Sequence, residues 1–473
     1  MMNRRPTLSV ISLAVLALSV SGCASFTPDG GFDTVRSMTS ERIGQSPTLL
    51  KTDADNATAA ATIVALLEKP LTADDAVNIA LLNNRGLQAD YAELGIAEAD
   101  LVQAGRLPNP TFTFGRLKRG NDIEIERKLM LPVMSLLTMP ITSRLEKRRF
   151  EQAQLRAVAE TLRLADDTRR TYFAAVAAQE SATYAEQVTT SAEAGAELAE
   201  KMAKVGNWSK LRQAREQSFY ADAAAQLARA RQSQLSNREK LTRLMGLSGN
   251  QIVFTLPKRL PDLPKSPRDI ADAEVQAMQN RVDVMMAKRE LAGLADSLGV
   301  TKTTRFINVL DVSYLRNGFN DGGPPQNGYE IELQIPLFDW GSARVARAET
   351  QYMQAVNRAA GQAINARSEV RDAYAGYRSA YDIARHYRDE VVPLKKRISD
   401  EQMLRYNGML ISVFDLLADS RAQAMSVNAS IEALRDFWMA DSALQIALTG
   451  TSANAGAAAR SSNISAPAES AAH

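Results

Sequence analysis

From Ser143 to Lys204 the chain has no proline and a single glycine, Gly195. At ~1.5 Å per residue a helix over this run is about 90 Å long, wider than any globular domain that 473 residues build. The run is alanine-rich with weak heptads, which suits close helix packing in a coiled-coil assembly. Val205-Gly206-Asn207-Trp208-Ser209 ends it. Gly206 suits a left-handed C-cap, and Ser209 an N-cap for a return helix to about Leu247. The pattern recurs. A second helix is predicted from Ser342 to Arg405, kinked or interrupted at Pro393. Asn407-Gly408 ends it, and Ser412 begins a return helix to about Leu448. The two capping serines are 412 − 209 = 203 positions apart.

Each long helical hairpin comes after a stretch with period-2 alternation. In GYEIELQIPLFDWG (Gly328 to Gly341), Tyr329, Ile331, Leu333 and Ile335 fall on one side of a pleat, with Glu330, Glu332 and Gln334 on the other. Pro336 denies the next ladder bond, and Asp339 is placed to cap the next helix. The earlier counterpart runs through Ile123 and Ile125 to Pro132, and the two prolines are 336 − 132 = 204 apart. Phe112 and Phe114 alternate with threonines before a Gly120-Asn121 turn, so 110–131 reads as a β-hairpin, and 305–338 as a second with a longer Gly-Gly-Pro-Pro loop. The chain is therefore a tandem duplication. Residues 72–266 form the first repeat and 267–450 the second, each a helix, a β-hairpin, a long helix, a tight turn and a return helix. In the first repeat Thr72 begins the folded part, Asn83-Asn84 breaks the leading helix, and 249–267 reads as a short strand and a Pro-rich connector. In the second, one helix is predicted from Pro267 to Gly299.

The N-terminus reads as a signal peptide, residues 1–22. Arg4 and Arg5 precede an apolar run, Leu8 to Val20, that is too short to span a membrane. Val20-Ser21-Gly22-Cys23 resembles a bacterial lipobox, making Cys23 the lipidated (palmitate-bearing) first residue of the mature chain. Residues 23–71 are expected to be an extended, lipid-anchored arm, and 451–473 a disordered Ala/Ser/Asn-rich tail. No other run reaches the ~20 apolar residues of a membrane helix.

Charge and composition exclude much. Lys+Arg (56) nearly balances Asp+Glu (54), so no basic field points to nucleic acid. Two histidines and one cysteine exclude a Cys/His zinc cluster and a disulfide framework. Without a phosphate loop, nucleophile elbow or HExxH, no enzyme chemistry and no cofactor or metal is expected. Four strands of about ten residues have the length to cross an outer membrane, ~9–11 each. Four strands close no barrel alone, and open edges do not sit in lipid. Chains must therefore share a barrel, and three chains would give twelve strands.

The order of these elements, the IPLFDWGSARVARAE stretch (Ile335 to Glu349), GRLPNP (Gly105 to Pro110) and the Gly-x-x-Ser turn (Gly206 to Ser209) resemble the TolC-type outer-membrane efflux channels, and among them the lipoprotein branch serving tripartite pumps. The resemblance covers roughly Thr72 to Gly450. It implies a mainly α fold with a β-barrel part, a homotrimer with a twelve-stranded outer-membrane barrel, and a periplasmic α-helical barrel. It also implies docking to a periplasmic adaptor and an inner-membrane pump, and a passive exit duct. Gly206, Trp208, Ser209, Gly408 and Ser412 become candidates for adaptor contact at the helix-hairpin tips, with Trp208 expected to face solvent. Counted from glycine to serine, the second turn is one residue longer. Asp415 and Asp419, at i and i+4 on one helix face, become candidates for acidic rings at a constriction, with Arg405 and Arg421 placed to pair with them. Glu124, Glu126, Glu330 and Glu332 are expected to face a wet lumen. Met130, Met134 and Met139 read as core filler, with metal export kept as one substrate option. Two alternatives remain: a duct of similar fold for protein secretion, and a non-pore coiled-coil lipoprotein of the periplasm.

Overall fold

The computed structural model describes residues 25–304, 309–321, 323–334 and 337–451. Cys23, Phe306, Ile335, Pro336 and the tail beyond 451 lie outside them. The first half is built from α1 (Phe32–Ile43), α2 (Asp53–Leu67), α3 (Ala73–Asn83), α4 (Arg85–Ala104), strands β1 (Thr111–Arg119) and β2 (Asp122–Pro132), α5 (Val133–Lys204) and α6 (Lys210–Leu244). The second half is built from α7 (Ala273–Asn280), α8 (Val282–Thr304), β3 (Leu310–Phe319), β4 (Gln326–Leu333), α9 (Ser342–His386), α10 (Val392–Asn407) and α11 (Val413–Thr449). Each half carries two shorter helices, a β-hairpin and a long helical hairpin, while α1 and α2 have no counterpart in the second half and α5 is matched there by α9 and α10.

The chain forms two compact units. One, from 25–35, 91–157 and 284–362, holds a four-stranded antiparallel sheet in the order β1-β2-β3-β4. Glycine takes the left-handed turn position between β1 and β2, at Gly120 (φ 62°). The two hairpins are joined by β2–β3 pairing, from Glu124 opposite Phe319 to Pro132 opposite Asp311. Below the sheet, ion pairs tie neighbouring helices: Arg148 to Asp296 at 2.7 Å and Arg289 to Glu151 at 2.6 Å. Phe32 packs edge-on against Tyr91, and Glu98 accepts from Thr27 N and Oγ1.

The other unit, from 36–90, 158–283 and 363–451, is helical. Ile63, Leu71, Ile79, Tyr172, Val176, Leu241, Met245, Leu256 and Ile431 make its main core. Leu263, Tyr377, Tyr381, Phe437 and Leu444 make a second. Thr72 caps α3 by a capping box with Asp75. Asn83 and Asn84 break the leading helix and donate to the carbonyls of Leu244, Met245 and Gly246 at the end of α6. At the matching break of the second half stands Arg281. It donates to Ala447 O at the end of α11, to both oxygens of Asp283 and to Glu369 Oε2. The two breaks therefore do the same work, each satisfying the orphan carbonyls of its own return helix.

Several expectations are corrected. The arm at 23–71 is not simply extended, because it holds α1 and α2. A Thr52–Asp55 capping box starts α2, and Ile63 is buried in the core. Weak sequence amphipathicity hid these helices. The connector at 249–267 has no strand, only a 3-10 turn at Gly249–Ile252, while Phe254, Leu256 and Leu260 are core residues. Its prolines lack the N–H groups a ladder needs. The segment 267–299 is two helices, broken at Arg281. Helix α5 begins at Val133, ten residues before Ser143, with Pro140 inside it. The interruption near Pro393 is a π turn, Tyr387–Val391, in which Val392 N donates to Tyr387 O. The wider turn relieves the clash that proline makes with the carbonyl four residues back.

Candidate functional site

The register of the sheet sorts its side chains into two faces. Residues opposite one another in antiparallel strands point the same way. One face carries Phe112, Phe114, Leu129, Leu131, Val312, Tyr314, Tyr329, Ile331 and Leu333, all exposed in the single chain. The other carries Asp122, Glu124, Glu126, Asp311, Glu330 and Glu332, with Arg119 and Lys128 as its only bases. Lys128 Nζ lies 2.8 Å from Glu330 Oε2, and Asn317 donates to Glu124 at 2.8 Å. The four glutamates expected on the wet face do share one face. Leu337, Phe338 and Trp340 come after β4 and are exposed. Among the described residues β1 and β4 are each paired on one side only. No helix among the described residues is long and apolar enough to cross a membrane.

The two helix-hairpin turns are in the helical unit, and hydrogen bonds show that they are equivalent. In the first, Asn207 N donates to Met202 O and Gly206 N to Ala203 O. In the second, Leu410 N donates to Arg405 O and Met409 N to Tyr406 O. Both are Schellman motifs. The left-handed position is Gly206 in the first (φ 80°) and Met409 in the second (φ 57°). Their separation, 409 − 206 = 203, equals that of the N-caps Ser209 and Ser412. The second turn is therefore not longer, and Gly408, at φ −79°, is not the counterpart of Gly206. Reading glycine as the marker of the left-handed residue displaces the alignment by one position.

Trp208 does not face solvent as its place in the turn predicts. It is half-buried, with its ring against Phe414 of α11 and the Arg212 guanidinium over it. The most exposed apolar side chains of the turns are Val205, Leu211, Leu404, Met409 and Leu410. Sequence reasoning passes over these because they break no pattern.

Asp415 closes the capping box of α11. Its carboxylate accepts from Ser412 Oγ at 2.7 Å and Ser412 N at 3.2 Å. The hydroxyl first, then the backbone N–H, hold the Asp415 carboxyl below the ordinary carboxylate value, with Arg212 adding to the effect. Asp419, half-exposed one turn on, has no ion pair among the described residues. The arginines expected to meet these acids go elsewhere. Arg421 pairs with Glu216 on α6 and covers Phe219, and Arg405 lies 3.7 Å from Glu401. Beside Arg421 runs an open groove of about 540 Å³ lined by Tyr184, Val188, Phe219 and Met425.

No protein-family model matches the chain. No curated protein matches it either. Solved structures do. The Campylobacter jejuni CmeC outer membrane channel is 19% identical, with 82% of this chain and 88% of that one covered and a TM-score of 0.67. The outer-membrane channel OprN is 18% identical over 85% of this chain and 96% of its own, with a TM-score of 0.68. The open-state Neisseria gonorrhoeae MtrE outer membrane channel is 16% identical over 80% and 89%, also at 0.68. The chain has the TolC-type fold of outer-membrane channels.

Proposed function

We propose that the protein is the outer-membrane exit channel of a tripartite efflux system. The observation that carries this is the sheet: two unpaired edges, one exposed apolar face and one acidic face, in a fold shared with outer-membrane channels. In lipid every backbone donor and acceptor needs a partner, so the free edges of β1 and β4 must be joined. A homotrimer joins them into twelve strands, apolar side to lipid and acidic side to the lumen. The long helical hairpins form a periplasmic helical barrel. Cys23 carries the lipid that anchors the mature N-terminus to the outer membrane.

The turns at Gly206–Ser209 and Gly408–Ser412 are the tips that meet a periplasmic adaptor, with Val205, Met409 and Leu410 as the apolar contact and Trp208 locking the two tips together. An inner-membrane pump supplies the energy, and the duct is passive with no chemistry of its own. Asp415 and Asp419 ring the constriction. Asp419 is the freer of the two to meet a passing cation, since Asp415 is held by the helix cap.

Single-channel conductance of the purified protein in planar bilayers tests the reading, comparing wild type with Asp415→Ala/Asp419→Ala. Discrete steps are expected, with weaker cation selectivity or larger openings in the variant. A folded, trimeric preparation with no conductance in either form would leave a non-pore lipoprotein as the better description. Equal conductance and selectivity in both would keep the channel and remove the acidic rings. Radiolabelled palmitate should enter the wild-type chain and not Cys23→Ser.

A further inference from the structure

The apolar face of the sheet is not apolar throughout. Towards the β1–β2 and β3–β4 turns it carries Arg116, Lys118, Arg127 and Arg316, and no acidic residue occupies any position of this face on the four strands. All the sheet's carboxylates are on the opposite face. The four cations are exposed, and among the described residues none of their side chains makes an ion pair or hydrogen bond. Arg127 stands directly opposite Arg316 in the register, and Arg116 is diagonal to Arg127. Like charges directly opposite on neighbouring strands destabilise a sheet. Charge on the lipid side of a barrel is tolerated near the interfaces and costly at the midplane. An anion seated between the two opposed guanidinium groups would remove that repulsion.

The rest of the face fixes the level of that anion. Below the arginine pair come Phe112, Leu129, Tyr314 and Tyr329, then Leu131, Val312 and Ile331, then Leu310 and Leu333. Past the far end are Phe338 and Trp340, aromatic groups of the kind that settle at a membrane interface. One end of the apolar band is thus aromatic and the other cationic. The cations span three strands, about 10 Å across at ~4.8 Å per strand. That width fits a headgroup with two separated phosphates better than a single phosphodiester, and the apolar rows below would receive its acyl chains.

We infer that Arg116, Lys118, Arg127 and Arg316 bind the phosphates of a bisphosphorylated glycolipid of the lipid A class on the outward face of the sheet. This rests on the barrel reading above. Arginine forks hold phosphate bidentately, and the site neutralises the only like-charge pair in register on the sheet's lipid side.

The test is native mass spectrometry of the purified full chain in detergent, with bisphosphorylated lipid A, its dephosphorylated form and phosphatidylglycerol as separate probes. Bisphosphorylated lipid A should stay bound, while the other two should bind weakly. Each of Arg127→Gln and Arg316→Gln should weaken retention about fivefold, and the fourfold Gln variant should abolish it. Lys128→Gln, on the acidic face, should retain lipid A as wild type does. Equal retention of dephosphorylated lipid A or phosphatidylglycerol would overturn the proposal, as would unchanged retention in the two single variants, which remain informative if the fourfold variant does not fold. Bilayer conductance on the same preparation separates the two readings. Pores without retained lipid A sink only the lipid site, and a preparation without pores sinks the channel.

Discussion

Met409 holds a positive φ that costs a non-glycine residue about 1–2 kcal/mol, and its side chain is 93% exposed, so little packing offsets that cost. Its structural counterpart is Gly206, for which the same conformation is free of that cost. Met409→Gly is therefore expected to raise stability by about 0.5–1 kcal/mol, after roughly 0.5–1 kcal/mol for glycine's extra unfolded freedom. By the same balance Gly206→Met should lower it by about 0.5–1 kcal/mol. Thermal unfolding of both variants checks this, and a destabilised Met409→Gly would show that the side chain is held by contacts. If it is also the adaptor contact, Met409→Gly binds the adaptor more weakly while melting higher. A second residue sets a pH dependence. Asp166 on α5 accepts from Ser442 Oγ at 2.6 Å, and burial raises its carboxyl above the ordinary value despite that bond and nearby Arg170. A raised folded-state pKa means the contribution is fully present below the unfolded value of 3.8 and lost as pH rises through the folded one. Asp166→Asn keeps an oxygen for Ser442 and removes the buried charge. It should melt higher than wild type at neutral pH, and the difference should close on acidification towards the unfolded value.

At the scale of elements, the two halves solve one problem with different chemistry. The end of α6 is held by the amides of Asn83 and Asn84, and that of α11 by a fully buried guanidinium, Arg281, balanced by Asp283 and Glu369. Removing one member of a buried ion pair leaves the other uncompensated, at about 3–5 kcal/mol. Arg281→Ala is thus expected to lower the melting temperature more than Asn84→Ala, which loses two neutral hydrogen bonds, to Leu244 O and from Leu87 N, of about 1 kcal/mol each. Circular dichroism at the helix band checks the order, and equal effects would remove the distinction. The same pair shows what was legible in the sequence. Asn83-Asn84 reads as a break because asparagine is a local turn former, whereas Arg281 sits in an unbroken helical pattern and acts through residues up to 166 positions away. Strand alternation, the Ser209 and Ser412 caps and the repeat offset are local signals, and they placed the β-hairpins and both helix-hairpin turns. Helices α1 and α2, the core residues of the 249–267 connector and the Glu216 partner of Arg421 depend on long-range packing, which no local pattern records. The left-handed residue of the second turn escaped for a different reason: backbone geometry, set by the Schellman bonds, placed a methionine where glycine is usual.

For the whole molecule the consequence of strand register is a distribution of charge. Six carboxylates and two bases on one face of each sheet give a net of −4 per chain, against +4 from the four bases on the other. Closed as a trimer with the acidic face inward, the barrel would concentrate cations in its lumen, because a low-dielectric wall focuses the field of like charges. This field is distinct from any acidic ring at the helix tips, and the two are separable by experiment. Replacing Glu124, Glu126 and Glu332 with Gln removes three charges per chain while leaving the Lys128–Glu330 pair and the apolar face intact. The reversal potential under a salt gradient should then move towards zero, with single-channel conductance lower at low salt and unchanged at high salt, where the Debye length falls to about 3 Å at 1 M. If Asp419 lines a constriction, Asp419→Ala should shift selectivity as well, but with a change in opening that persists at high salt, because it would alter an aperture as well as a field. A triple glutamine variant with the wild-type reversal potential would mean that these glutamates do not line the conducting path, and that the acidic face of the sheet is turned away from the lumen.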